Sequence, residues 1–203
     1  MKYALSTLAL AAFSFASPVP EAAEAALAPP AYKIKSVIHG GSGCPQDSAI
    51  DIDWTNSQVL PIRFPKEFTT AIGKGVPIDD SRKNCQINVA LQFSPGFQYT
   101  IVGTDFSGFG DLDAGVTARV STLYYFSGQT QEVTTALNLA GPWHGRFTKS
   151  DDIPLAIWSP CGSDAGLNIN SAVALNGAGN GWIHASKESV HFSQALYIKW
   201  RRC

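Results

Sequence analysis

The sequence predicts an all-β protein: an antiparallel β-sandwich, of which the jelly roll is one form, held by disulfides. Three observations predict it. About nine to eleven short runs alternate apolar and polar residues with period two, and clusters of Gly, Pro and Asn separate them. No helical period follows the apolar start of the chain. Four cysteines stand far apart, an even number with no CxxC pair.

The chain opens with Met1 and Lys2, an apolar run, and the small-x-small group Ser14-Phe15-Ala16. That is the pattern of a secretory signal peptide over residues 1–16, and the run is too short to span a bilayer. Residues 17–31 are Pro-rich at the ends and Ala/Glu-rich in the middle, and they are read as a loose leader. Residues 32–203 then form a single β-sandwich domain, long enough for a sizeable core. Secretion implies oxidised cysteines. Cys44, Cys85, Cys161 and Cys203 allow three pairings. Cys44–Cys85 and Cys161–Cys203 are favoured, because each joins segments flanking a strand cluster and closes a loop of about 40 residues.

The strongest stretch is 85–125. Ile87, Val89, Leu91 and Phe93 alternate with polar or small residues until Pro95-Gly96 breaks the run. Phe97, Tyr99 and Ile101 alternate next, a Gly/Asp-rich loop follows, and a third run covers 116–125. Before these, strands are expected over 32–39, 49–54 and 59–64, with Pro61 marking an edge. Residues 68–80 read as a loop with one helical turn. After them come strands at 132–139, 143–148, 153–158, 167–175 and 189–201, with polar residues 150–152 as a turn. The "NGAGNG" segment at 176–181 is a turn. A phase slip near Gln194-Ala195 suggests a bulge.

Charge bounds the function. Fifteen basic and sixteen acidic side chains give a formal net charge of −1. The basic residues are scattered, so neither a nucleic-acid footprint nor a polybasic membrane anchor is present. The chain is read as a secreted, extracellular monomer.

Several blocks resemble a known family: "GSGCPQ" at 41–46, "NCQINVALQFSPGFQY" at 84–99, "GDLDAGVTARVSTLYYFSGQ" at 110–129, "GPWHGRF" at 141–147, "WSPCG" at 158–162, "LNINSAVAL" at 167–175, and the terminal "KWRRC". Together they resemble the fungal small secreted proteins called domain of unknown function 4360. The resemblance covers nearly all of 32–203. It implies a fungal source, secretion and an all-β domain, and it carries over no catalytic residue. One departure is Phe106-Ser107-Gly108, where an aromatic-Arg-Gly group is expected.

The chemistry-bearing candidates are few. Asp105, Asp111 and Asp113, set among Gly108, Gly110 and Gly115, are the metal candidates, with oxygen donors suited to calcium. They do not form an EF-hand, since Gly115 and Thr122 stand where acidic ligands belong. The simpler reading is a wide β-loop whose Asp side chains cap turns, and no cofactor is called for. His39, His144, His184 and His191 include no HxH or HExxH pair. GxSxG and nucleotide loops are also absent. Glu67, Glu132 and Glu188 offer no defined carboxylate pair.

Aromatic residues are the richer signal. Trp143-His144 follows Gly141-Pro142, which reads as a turn near the surface, and Tyr124-Tyr125-Phe126 points rings to both faces of one strand. Exposed planar rings on a sandwich suit stacking against sugars. The alternative is that these rings cover the ends of the core. The reading is a non-catalytic binding module, with Trp143, His144, Tyr124 and Tyr125 as ligand-binding candidates. Its partner is a cell-wall glycan or an extracellular protein. The alternatives are a secreted polysaccharide-acting enzyme, or an effector or inhibitor of an extracellular enzyme.

Overall fold

The computed structural model describes residues 28–54, 56–153, 156–162, 166–184 and 193–203. The expected signal peptide, most of the leader, His191 and Glu188 lie outside the described residues.

Twelve strands run through the described chain: β1 (Tyr32–Gly40), β2 (Asp51–Ile52), β3 (Val59–Arg63), β4 (Thr70–Ile72), β5 (Arg82–Phe93), β6 (Phe97–Leu112), β7 (Val116–Phe126), β8 (Glu132–Ala140), β9 (Trp143–Asp152), β10 (Gly166–Gly177), β11 (Gly181–His184) and β12 (Ser193–Arg202). One 3-10 turn, Ile78–Ser81, precedes β5. The strands form two antiparallel sheets. The five-stranded sheet has the order β1-β5-β10-β7-β8, and the seven-stranded sheet contains β2-β3-β12-β6-β11-β4 with β9 on the other edge of β6.

The alternation read from the sequence decides what faces inward. Ile87, Val89 and Leu91 of β5, Leu167, Ile169 and Val173 of β10, and Val116, Val120 and Phe126 of β7 line the inner face of the smaller sheet. Leu60 and Ile62 of β3, Tyr99 and Phe106 of β6, and Leu196 and Ile198 of β12 face them from the larger sheet. Burying each such side chain contributes about 1.5–3 kcal/mol. At one end the rings of Trp54, Phe93, Tyr99 and Trp200 pack together, with Trp54 stacked on Trp200 at 5.8 Å. Both favoured disulfides are present, Cys44–Cys85 and Cys161–Cys203, with Cα separations of 5.3 and 5.9 Å.

Five local expectations are corrected. First, the Gly/Asp-rich stretch after Ile101 is no loop, because β6 continues through it to Leu112. β12 and β11 pair along one edge of β6 and β9 along the other, and these ladders offset the weak strand preference of its glycines. Gly110 leaves room for its neighbours, since a Cβ there would lie 2.9 Å from Cδ1 of Ile183 and 3.4 Å from Cδ1 of Trp143 and would make those side chains shift. Second, residues 150–152 are not a turn but the end of β9, which pairs with Gly103–Asp105 of β6. Third, residues 153 and 156–158 form no strand. Fourth, the strand expected over 49–54 is only Asp51–Ile52, and the 68–80 loop holds the short strand β4. Pro61 fits its place, since β2 pairs with Arg63 and Ile62 only and the missing N–H falls where β2 has ended. Fifth, the bulge is not at Gln194-Ala195. Tyr197 pairs with Gly103 and Ile198 with Ile101, so the extra residue is Val102 of β6.

Gln194 misled the phase reading because it is a polar residue at a core position, 1 % exposed. Its Oε1 accepts from Ser171 Oγ at 2.9 Å. Its Nε2 lies 2.6 Å from the Tyr124 hydroxyl, 3.1 Å from Thr104 Oγ1 and 3.2 Å from Thr122 Oγ1. Two N–H groups thus serve three hydroxyl oxygens, bridging both sheets in mid-core. Tyr124, named above as a ligand-binding candidate, is 1 % exposed within this cluster and cannot meet a ligand at the surface. Burial pushes its hydroxyl up to about 12, although bonds to its neighbours partly offset that shift.

Candidate functional site

The outward faces of strands in a sandwich normally carry polar residues. On the larger sheet, three adjacent strands depart from this rule. In one row, His144 of β9 lies opposite Asp111 of β6, which lies opposite Trp182 of β11. In the next row, Arg146 lies opposite Phe109, which lies opposite His184. Period two places all six side chains on the same outer face.

The rings in these rows form one stack. Trp182 and His184 lie 4.2 Å apart at 14°, Phe109 lies 5.4 Å from Trp182 at 16°, and 5.7 Å from His184 at 23°. His144 meets the edge of Phe109 at 5.3 Å. Phe109 is an outward residue only 8 % exposed, because these neighbours cover it. Trp182 and His184 remain partly exposed. Each ring contact of this kind contributes about 0.5–1.5 kcal/mol beyond area burial, which holds the ring planes before any ligand arrives.

Polar groups flank the stack. His144 Nδ1 lies 3.2 Å from Asp111 Oδ2, and both are well exposed. Farther along β6, the Ser107 and Thr148 hydroxyls are 2.9 Å apart, and Tyr197 donates to Asp105 at 2.5 Å. That bond to Asp105 raises the Tyr197 hydroxyl above its ordinary range. Tyr197 is also outward and 37 % exposed. The face therefore runs from Trp182 to Tyr197, about 25 Å along β6 at ~3.3 Å per residue. It offers rings at both ends and hydroxyl, carboxylate and imidazole groups between them.

Of the residues singled out from the sequence, the structure brings only His144 and Asp111 together. Trp143 is exposed, at 37 %, but it points to the opposite face of β9, next to Gly110, with Nε1 donating to the Gly145 carbonyl at 3.2 Å. Tyr125 lies on the far side of the molecule, on the outer face of the smaller sheet. The three aspartates named as metal candidates do not gather at one point, and each has its own partner. Asp105 accepts from Tyr197, Asp111 pairs with His144, and Asp113 Oδ2 accepts from Asn180 N and Nδ2 at 2.8 and 3.0 Å. Asp105 and Asp111 lie six residues apart on one strand, about 20 Å. Among the described residues no three His, Cys, Asp or Glu side chains are grouped to hold a metal ion.

Sequence reading missed Phe109 and Trp182, and weighed His184 only as a metal ligand. The signal was present: Gly181-Trp182-Ile183-His184 alternates directly after a turn, with an aromatic and an imidazole sharing one face.

A protein of the fungus Arthroderma benhamiae, described as an uncharacterized secreted protein, is 32 % identical over 180 residues, covering 86 % of this chain and 73 % of that protein. Together with two disulfides, this makes the present chain a secreted protein. Among solved structures, TmCBM61 in complex with β-1,4-galactotriose is similar at 10 % identity and a TM-score of 0.32, covering 83 % of this chain and 90 % of that one. CBM28, a carbohydrate-binding module specific for non-crystalline cellulose, is similar at 12 % identity and a TM-score of 0.34, covering 82 % and 88 %. Likeness of that degree says nothing about a ligand. Residues 30–203 match the family described as Domain of unknown function (DUF4360), and the chain belongs to that family.

Proposed function

We propose that the protein is a secreted, non-catalytic module that binds cell-wall polysaccharide on the outer face of its seven-stranded sheet. In this reading residues 1–16 are a signal peptide and the binding domain begins near residue 32. The observation that carries the proposal is the Phe109–Trp182–His184 stack. Four rings gather on a face where strands ordinarily present isolated polar side chains, and the stack fixes their planes in advance. Sugar rings offer apolar C–H faces ringed by hydroxyls. A prearranged aromatic surface beside hydrogen-bonding groups matches both halves of that chemistry. The carboxylates nearest the rings are already engaged, Asp111 by His144 and Asp105 by Tyr197, which favours holding a ligand over cleaving it.

The test is retention of the secreted protein on insoluble cellulose, chitin and β-1,3-glucan. Rigid aromatic anchors dominate binding energy, so Trp182→Ala weakens retention roughly tenfold or more. If the wild type is retained on none of these, or if Trp182→Ala binds as the wild type does, the proposal fails.

A further inference from the structure

The opposite side of the sandwich carries a second unusual surface. Asn is depleted from strands, because its short amide competes with the backbone. Yet the outer face of the smaller sheet presents Asn84, Gln86 and Asn88 from β5 and Asn168 and Asn170 from β10. Asn88 Nδ2 donates to Asn168 Oδ1 at 2.9 Å, and Asn168 Nδ2 donates to Ser127 Oγ at 3.0 Å. That chain uses up one amide completely and orients the next. Gln86 is exposed, and Asn170 is partly exposed and has no side-chain partner among the described residues.

Tyr125 gives this face a platform. Its hydroxyl accepts from Gln86 Nε2 at 3.3 Å. Tyr125 is on β7 and Gln86 on β5, and β10 runs between them. The two outer strands are therefore about 9.6 Å apart. An upright tyrosine would leave its hydroxyl above its own strand. To reach Gln86, the Tyr125 side chain leans over β10 and meets the Gln86 side chain there, so it covers part of the sheet surface. Leu123, Ser121 and Ala172 continue the face at low height, and all three are partly exposed. Charge is confined to the rim, with Glu132 at the end of the Tyr125 row, and Arg82 and Arg119 beyond the amides.

We infer that the outer face of the five-stranded sheet is a second glycan-binding surface, whose ligand is a neutral polysaccharide chain held by the Tyr125 ring and the amides of Gln86 and Asn170. An amide supplies both a donor and an acceptor, as a sugar hydroxyl does, and asks for no countercharge. An uncharged centre therefore fits a neutral polymer, whereas a uronate polymer would need cations there. The ligand class rests on the binding reading above, but the surface itself does not, because the two faces share no residue. A molecule with binding faces on both sheets joins two polysaccharide chains.

The experiment is affinity electrophoresis of the full secreted chain, disulfides intact, in gels containing soluble mixed-linkage β-glucan, with polygalacturonate as the charged control. Tyr125→Ala and Gln86→Ala each weaken glucan retardation about fivefold or more. Tyr125→Phe, which keeps the ring but loses the bond to Gln86, weakens retardation less than Tyr125→Ala does. Trp182→Ala leaves a residue of binding that Tyr125→Ala then removes. Gln86 is exposed, so Gln86→Ala decides the matter even if Tyr125→Ala fails to fold. Wild-type retardation by both Tyr125→Ala and Gln86→Ala overturns the inference, as does a wild type slowed only by polygalacturonate. If Trp182→Ala has no effect while Tyr125→Ala abolishes binding, this surface stands and the ring stack on the other sheet falls. The reverse pattern keeps the ring stack and removes this surface.

Discussion

Replacing Gln194 by Met tests whether the buried polar cluster stabilises the sandwich. Met is similar in length, apolar and adaptable, so volume is nearly preserved and the change isolates the amide. In the folded protein that amide meets Ser171, Thr104, Thr122 and Tyr124. Ser171 and Thr122 keep each other at 3.0 Å when it is removed. Thr104 and Tyr124 lose their Gln194 contact, and leaving a buried hydroxyl unsatisfied costs about 1–3 kcal/mol. The hydroxyls are close enough to recover part of this among themselves, so the net loss comes to about 2–4 kcal/mol. In a domain of this size that lowers Tm by roughly 5–15 °C. Urea denaturation with both disulfides intact measures it, and an unchanged m-value confirms that only stability has changed. A loss below about 1 kcal/mol, or a gain, would refute the reasoning, because the cluster would then be no better than apolar packing.

Four more outcomes follow. Tyr124 has its hydroxyl raised by burial from 10.0 to about 12, so the native state holds that proton more tightly. Stability is then full below pH 10 and falls by about 2–3 kcal/mol as pH rises towards 12; Tyr124→Phe makes that fall shallower in pH-dependent denaturation, and buried Tyr99, also raised, supplies the remainder. Removing the 161–203 disulfide with paired Ser substitutions opens a loop of sequence separation 42; it costs roughly 3–4 kcal/mol in denaturant titrations. Stripping divalent ions with a chelator shifts Tm by no more than about 2 °C in a thermal melt, since a ligand bound only by the folded form would have stabilised it. Trp143→Ala costs roughly 1 kcal/mol and spares glycan retention, whereas Trp158→Ala costs more, because the Arg201 guanidinium lies 3.7 Å over its ring.

The layout of the sandwich was largely legible because period-two alternation reports burial directly. β5, β7, β10 and the described part of β12 follow it almost residue by residue. The failures came where a strand violates its own composition rule. β6 keeps Gly103, Gly108 and Gly110 within one strand because pairing on both edges fixes a backbone that its side chains do not. Gln194 looked like a break in phase because its four hydrogen-bonding partners come from three other strands, β6, β7 and β10. Such partners are defined only once the sheets have met.

The candidate site was less legible for a related reason. Which face a side chain occupies depends on strand parity, but what it meets there depends on register between strands distant in sequence. Trp143 and His144 are neighbours in the chain and looked like one exposed unit, yet adjacent strand residues point to opposite faces. Phe109, His144 and Trp182 are far apart in sequence, and β9, β6 and β11 bring them into one cluster. The same logic separates Tyr124 from Tyr125, one bonded to Gln194 in mid-core and the other reaching across β10 to Gln86. Parity thus sets which face of the sheet a ring occupies, and neighbours from other strands set how much of it stays exposed, as they do for outward Phe109. Tyr125 is the more informative of the two tyrosines, because its bond to Gln86 draws the side chain over β10.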